Sequence, residues 1–573
     1  MTYEFTHDNG TVSVGVYLAT RLVQCGVHHL FGLPGDFNLS LLDEMLTVDE
    51  LTWVGSTNEL NAAYAADGYA RAGRKLGALS TTYGVGEMSA INGIAGAYAE
   101  DVPVVQITGF PSTSAAAEGL LLHHTLIDSD YNHFFRAYKE VTAAAAILTA
   151  ATASRDIDRV LLAAMRESKP VYLAIPTDVA VARVPDSNLR DPLAGPRSDP
   201  AALSRFTRDL YARLQGTAEV TVLAGPRLHR RRLEDTVRRL AEVPGVHIAS
   251  QPGAKAIVDE SHPSSLGTYM GAITRSQSAR EAVDQAPVLI LAGVVLSDLL
   301  TGFFSHRFDP RQSVDLGMNE AHIDQTTYYG VTLEDSLNAV ESVLHAQRVI
   351  TEGRPVAPAA TNQTVHRKVS GTDISSGSLT QDAFWSRIQA WLPDDAIVIA
   401  DAGTAFCGAL ELKMPNNSDL LGQPVWSSIG YTLPATLGTS LAAPEQRSVL
   451  FIGDGSAQLT IQELTTILHQ GLSPIIFLIN NEGYTVERAI QSPHAVYQDV
   501  YPWNWTALPG VLAPGIDSVT TVVSTGTELE TALETAAATT GKLVFIEVLV
   551  PKLDTPSILT ELAAGLADAN SSA

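Results

Sequence analysis

Ten short apolar runs recur along the chain, at residues 29–35, 76–84, 102–109, 170–176, 220–225, 288–293, 396–403, 448–455, 474–481 and 543–550. None alternates with polar residues, and they close on Gly, Asp, Asn, Pro or a further apolar residue. A strand with one solvated face alternates; a strand covered on both faces is apolar throughout. Segments of helix length, rich in Ala, Leu and Glu, separate the runs. The pattern predicts the α/β class, with doubly wound parallel sheets sandwiched by helices. In such sheets ligands bind beyond the carboxyl ends of the strands, so chemistry is expected at the Gly, Asp and Asn residues found there.

A chain of 573 residues exceeds one hydrophobic core, and at ~100–200 residues per domain about three domains are expected. Residues 181–201, with four prolines, and residues 351–378, rich in Pro, Thr, Ser and Gly, read as linkers. The expected domains are residues 1–185, 200–350 and 375–573. Beyond the 570–573 tail there is no low-complexity tract, and no short-period repeat is visible.

With 37 Lys plus Arg against 62 Asp plus Glu, the net charge is −25. That balance repels phosphate backbones and anionic lipid, so neither nucleic acid nor membrane is an expected partner. The one basic run, residues 229–232 followed by Arg238 and Arg239, is interleaved with Glu234 and Asp235 and reads as a solvated helix face. Two distant cysteines, Cys25 and Cys407, exclude a disulfide framework and a Cys-based zinc site. Residues 1–10 carry no signal pattern, and no run reaches the ~18 apolar residues of a membrane span. A cytoplasmic protein is expected.

The strongest motif lies in the third piece. The run 448–452 leads into Gly453-Asp454-Gly455-Ser456 and a helical stretch at 457–470; the next run, 475–479, ends in Asn480-Asn481-Glu482-Gly483. Between Gly455 and Asn480 lie 24 residues, 456 to 479. This is a βαβ unit that puts Asp454 and Asn481 at adjacent strand ends. Both are hard oxygen donors suited to Mg²⁺, which shares its octahedral shell with phosphates. Glycines allow close backbone approach, and a helix start offers N–H groups to a diphosphate. A GDG tripeptide alone is a turn; the spacing to Asn-Asn gives it weight. In the first piece, Trp53-Val54-Gly55-Ser56-Thr57-Asn58-Glu59 sets a carboxylate at a strand end before a small-residue helix at 60–73.

The GDG–x24–NN pattern resembles the motif of thiamine diphosphate (ThDP) enzymes, and Glu59 resembles the carboxylate that protonates N1′ of the cofactor's aminopyrimidine. Three further segments narrow the resemblance: Phe31-Gly32-Leu33-Pro34-Gly35-Asp36, Leu122-His123-His124-Thr125-Leu126 and Gly483-Tyr484-Thr485-Val486-Glu487-Arg488. Together they look like the ThDP-dependent 2-oxo acid decarboxylases of the pyruvate, indolepyruvate and branched-chain group, along essentially the whole chain. Acetolactate synthases share the ThDP motifs without the His-His pair. A nicotinamide fingerprint fails, because Gly84-x-Gly86 leads to Ser89 and Gly453-x-Gly455 to Gln458.

The resemblance implies pyrimidine-binding, central and diphosphate-binding domains, in that order. It implies Mg²⁺ held by Asp454, Asn481 and the carbonyl of Gly483, with Thr404, Ser427, Ile429, Gly453, Gly455 and Ser456 around the cofactor and Ile429 as the wedge that bends it. The reaction implied is non-oxidative decarboxylation of a 2-oxo acid to aldehyde and CO₂ through a ThDP ylide and an enamine, with Asp36, Glu59, His123, His124 and Glu487 as acids and bases. Clustered carboxylates in an apolar cleft are expected to have raised, coupled pKa values. Gln381, Phe384, Phe406, Val486 and Ile490, with Leu300 and the helix near 558–566, would line the substrate pocket. That pocket points to an aromatic or branched-chain oxo acid; pyruvate decarboxylation proper and acetolactate-type carboligation are the alternatives. Glu59 and the metal motif would meet across a homodimer, two of which form a tetramer.

Two departures stand out. Ser427 occupies a position where glycine is usual, and Gln491-Ser492-Pro493 replaces a His-Gly pair, with a proline that should stop or redirect the preceding helix. The middle piece has no cysteine, so thiol-linked substrate activation does not carry over.

Overall fold

A computed structural model describes residues 10–351, 377–415 and 417–571. The reading of residues 1–10 falls almost wholly outside the described residues, as do most of the 351–378 linker and the end of the tail. All ten apolar runs contain strands. They form the interiors of three sheets, and their side chains are buried with little alternation: Gly77–Thr81, Val104–Phe110, Val171–Pro176 and Val220–Ala224 are buried at every position.

The chain packs as two compact units. The first comprises residues up to Pro196 together with Leu433–Pro444 and Gln462–Gln470; the second comprises Arg197–Thr432, Glu445–Ile461 and the chain from Gly471. The break at Pro196 lies inside the 181–201 segment, which is not featureless. Its Arg183–Pro185 strand pairs antiparallel with Thr11–Ser13.

In the first unit six parallel strands run in the order Thr52–Gly55, His29–Gly32, Gly77–Thr81, Val104–Phe110, Val171–Pro176, Ala144–Ile147. In the second unit another six-stranded parallel sheet runs Asp419–Leu421, Ile397–Ala400, Ser448–Gly453, Ile475–Asn480, Leu543–Leu549, Ser518–Val523. Numbered within each sheet, both orders read 2-1-3-4-6-5. The strand order reverses between strands 1 and 3, so a crevice opens at their carboxyl ends.

The central sheet, also in the second unit, has seven strands and is mixed. Five are parallel; Glu320–Ile323 and Thr326–Tyr329 add an antiparallel hairpin at one edge. Asp324 opens the hairpin turn with φ 51. These edge strands are short and half-exposed, so apolar runs do not reveal them. The basic run is only partly solvated, since His229 Nδ1 lies 2.7 Å from Glu234 in a nearly buried pair.

Two helices differ from expectation in detail. The small-residue helix spans Glu59–Gly73, with Asn58 as N-cap accepting from Asn61 N at 2.8 Å. The stretch at 457–470 is not one helix: Asp454–Thr460 gives way to a 3₁₀ turn, Ile461–Glu463, and then to Leu464–His469. The two units divide at this turn.

Candidate active site

In the second unit a cavity of about 250 Å³ opens at the crevice between Ile397–Ala400 and Ser448–Gly453. Thr404, Ser427, Ile429, Gly453, Asp454, Gly455, Ser456, Asn481, Gly483, Phe406, Val486 and Glu487 all line it. So do Leu300 and, from the last helix, Leu559, Leu562 and Leu566. Gln381, Phe384 and Ile490 are not among its lining residues. Gln381 is buried in the core, where its Oε1 accepts from Trp385 Nε1 at 2.9 Å.

Asp454 is the first residue of its helix and is almost wholly buried. Its carboxylate accepts from Gly455 N at 2.8 Å and from Gly483 N at 3.0 Å. Burial pushes this carboxyl up to about 7, although those two N–H groups and the Arg488 charge pull the other way. Asn481 follows the neighbouring strand. Its amide oxygen faces Gly483 O at 2.7 Å and Asp454 Oδ1 at 3.2 Å; turned over, the amide would donate to both and accept from Thr485 Oγ1 at 3.1 Å. The Asp454 carboxylate, the Asn481 side-chain amide and the Gly483 carbonyl therefore converge. An amide N–H or a cation belongs between them.

The loop that brings them together has identifiable supports. Gly483 sits at φ 130, and a Cβ there would lie 2.1 Å from Gln498 O, so no other residue fits. The buried Arg488 guanidinium donates to Asn481 O at 3.1 Å, Glu482 O at 2.6 Å and Asp499 at 2.8 Å. On the opposite wall Ser427 takes φ 53, which explains why glycine suits this position. A side chain in that left-handed region costs about 1–2 kcal/mol. The helix Thr485–Ile490 stops at Ile490, just before Gln491-Ser492-Pro493.

Sequence reading missed two residues here. Asp401, fully buried, accepts from Gly430 N at 3.1 Å and from Thr432 N and Oγ1 at 3.2 and 2.6 Å, fixing the segment that carries Ile429. Burial raises its pKa above the usual carboxylate range. Gln423 lines the cavity at 3% exposure, and neither atom of its amide has a hydrogen-bond partner. Such orphaned polar atoms fit a cavity built around a polar ligand.

In the first unit Asp36 Oδ2 lies 2.8 Å from His123 Nε2, and the His123 and His124 ring centroids are 4.5 Å apart. One ligand-type atom from each of Asp36, His123 and His124 lies within 4.8 Å of the others. Phe37 stacks on His123 at 5.0 Å. Asn38, buried and unanticipated, braces the Asp36 turn, accepting from Gly35 N at 2.8 Å and donating to Leu33 O at 3.0 Å. Glu59 is half-buried at the start of its helix.

Three family models match the chain: the thiamine pyrophosphate enzyme N-terminal TPP binding domain over residues 12–133, the central domain over 207–340 and the C-terminal TPP binding domain over 401–548. A protein named alpha-keto-acid decarboxylase in Mycobacterium leprae is 43% identical over 560 residues, covering 97% of this chain and 96% of that protein. Proteins of the same name in Mycobacterium ulcerans and Mycobacterium tuberculosis (strain H37Rv) are 42% and 41% identical, each over 97% of this chain and 96% and 97% of their own length. The chain belongs to the thiamine diphosphate-dependent 2-oxo acid decarboxylases.

Proposed function

We propose that this protein decarboxylates an aromatic or branched-chain 2-oxo acid to the aldehyde and CO₂, using ThDP held through Mg²⁺ at the crevice of the C-terminal sheet. The observation that carries this reading is the convergence of the Asp454 carboxylate, the Asn481 side-chain amide and the Gly483 carbonyl beside a cavity with an apolar wall. A buried carboxylate and two neutral oxygens make a hard donor set of the kind Mg²⁺ shares with a diphosphate. Bound there, ThDP would supply the nucleophilic carbon and the electron sink for loss of CO₂.

The protein's own groups then have distinct tasks. Asp454, Asn481 and Gly483 would hold the metal. Gly453, Gly455, Ser456, Thr404 and Ser427 would seat the cofactor, and Ile429 would set its bend. Glu59 would share a proton with the aminopyrimidine ring. Asp36, His123, His124 and Glu487 would relay protons to the carbon that loses CO₂ and release the aldehyde. Leu300, Phe406, Val486, Leu559 and Leu562 exclude water from the carboxylate as its charge spreads, which assists its departure.

The apolar wall supports a bulky apolar substrate side chain. Such walls discriminate by only ~1–3 kcal/mol per methylene, so related oxo acids should be accepted together. Exposed Leu120, Leu121, Leu126 and Ile127 flank the His123-His124 pair. They support self-association, which we read as a dimer of dimers. Two free cysteines support a reducing compartment, the cytoplasm, and among the described residues no helix is long and apolar enough to cross a membrane.

The test is aldehyde release from pyruvate, 2-oxoisovalerate, phenylpyruvate and indolepyruvate, with ThDP and Mg²⁺ added or withheld. Release that depends on both, with the highest kcat/KM on a branched or aromatic substrate, is expected. A preference for pyruvate would overturn the substrate assignment, and 2-hydroxyketone in place of aldehyde would make the protein a carboligase.

A further inference from the structure

After the strand Gly77–Thr81 the chain turns through Gly84-Val85-Gly86 into the helix Val85–Ala99. Two glycines of this turn touch residues assigned to the chemistry. Gly84, at φ 65 and ψ −93, presses against the backbone of His124: a Cβ on Gly84 would lie 2.2 Å from His124 O. Gly86 faces Glu59, and a Cβ there would lie 3.2 Å from Glu59 Oε1. His124 itself adopts φ 62, so two left-handed residues meet back to back. The turn is thus a spacer between a catalytic carboxylate and the histidine pair.

Glu87 holds that spacer. Its side chain is completely buried, and both oxygens are used: Oε1 accepts from Gly84 N at 2.8 Å and Oε2 from the Tyr172 hydroxyl at 2.7 Å. Tyr172 belongs to the strand Val171–Pro176, the fifth of six across the sheet. The Glu87 carbonyl accepts from the Tyr138 hydroxyl at 2.5 Å, and Tyr138 lies on His133–Glu140, the next helix after the histidine loop. Helix capping alone does not call for a buried acid. The box formed by Thr525 and Glu528 at the helix Gly526–Ala538 caps equally well with an exposed glutamate. A fully buried acid in the helix's first turn, gripped at both oxygens, links the turn to the sheet through Tyr172.

We propose that Glu87 is a positioning residue for the decarboxylation, a strut between Tyr172 and the Gly84-Val85-Gly86 turn that sets the separation of Glu59 and His124. The inference rests on the assignment of Glu59 and His124 to the chemistry.

Steady-state kinetics of the full-length protein with ThDP and Mg²⁺, on phenylpyruvate and 2-oxoisovalerate, tests it through four variants. Glu87→Ala should lose about tenfold or more in kcat with little change in KM, because small displacements of catalytic groups act on the chemical step. Glu87→Gln keeps an acceptor for Gly84 N–H and a partner for Tyr172, and should restore most of kcat. Glu528→Ala removes the other capping box and should leave kcat unchanged while lowering thermal stability. Glu59→Gln should be inactive. Wild-type kcat in a folded Glu87→Ala protein, or a loss in Glu87→Gln as deep as in Glu87→Ala, overturns the proposal. Should Glu87→Ala fail to fold, Tyr172→Phe frees one Glu87 oxygen and must still lower kcat; an unchanged kcat there overturns it as well. Activity retained by Glu59→Gln would sink the assignment of Glu59 instead, which separates the two failures.

Discussion

Glu463 and Thr57 stand 406 positions apart, yet Glu463 Oε2 accepts both the Thr57 backbone N–H at 3.1 Å and its hydroxyl at 2.6 Å. The same oxygen accepts from Asn61 Nδ2 at 3.0 Å, and the Glu463 side chain is fully buried. Thr57 and Asn61 bracket Glu59, so this carboxylate fixes the start of the helix that presents Glu59. Glu463→Ala removes the acceptor that the Thr57 N–H and hydroxyl share, leaving Asn61 Nδ2 only its bond to Thr57 Oγ1 at 3.0 Å, at a cost of about 1–3 kcal/mol. A lower midpoint in denaturant together with a reduced kcat is expected. Stability lost with full kcat would make Glu463 a fold residue only.

Glu59→Gln keeps the shape and removes the ionisable proton. The helix start loses a favourable charge at its positive end, at a cost of about 0.3–1 kcal/mol, too little to unfold the protein. Aldehyde formation should vanish while circular dichroism and ThDP binding persist. Turnover at the wild-type rate would refute the role given to this carboxylate.

The parts of the site that could be read in advance are those whose chemistry sits next to a strand end. Asp454 and Asn481 follow apolar runs and both offer hard oxygen donors at adjacent strand ends, so residue type and spacing suffice. Asp401 follows such a run too, yet nothing local says that its partners are Gly430 and Thr432. Asn38, Glu463 and Glu87 are buried polar groups whose meaning lies in donors brought from elsewhere in the fold. Their residue types would suit a cap or a surface equally well. The broken helix at Ile461–Glu463 is equally invisible, because no Gly or Pro interrupts residues 457–470. Likewise Gln381 looks available at a helix start but turns inward to Trp385.

Burial pushes the Glu87 carboxyl up to about 7, while its bonds from Tyr172 and Gly84 pull down. Tyr172 and Tyr138, which face it, are raised well above 10 and stay neutral donors. An acid raised in the folded state binds its proton more tightly there than in the unfolded chain. Its stabilising contribution is therefore full below the unfolded value of 4.5 and is lost as pH rises through about 7. At ~1.4 kcal/mol per unit, the loss is on the order of 3 kcal/mol. Denaturation midpoints at pH 5 and pH 8 should therefore differ more in the wild type than in Glu87→Gln. Equal pH dependence in both proteins would mean that Glu87 does not titrate in this window.

Phe406 lines the cavity and packs against Gly422, where a Cβ would fall 2.6 Å from its ring. Shortening it opens the wall that, on the proposed function, would meet the substrate side chain. Phe406→Ala should raise kcat/KM for indolepyruvate relative to 2-oxoisovalerate by about 10-fold or more, the scale on which apolar pockets discriminate. An unchanged ratio would remove Phe406 from the substrate wall.

Arg488 touches no expected metal ligand atom directly. It donates to the carbonyls of Asn481 and Glu482 and pairs with Asp499, whose backbone bridges to Gly483. The loop that carries two of the three converging groups is therefore held from behind by one buried cation. Arg488→Met preserves much of the volume and removes the donors, leaving those carbonyls free to turn. Supports behind a metal ligand are typically worth about 10–100-fold in metal affinity, so half-saturation by Mg²⁺ should rise on that scale at saturating ThDP. A magnesium titration of activity measures it directly. An unaltered titration would mean that the Gly483–Asp499 bridge alone keeps Asn481 and Gly483 facing Asp454.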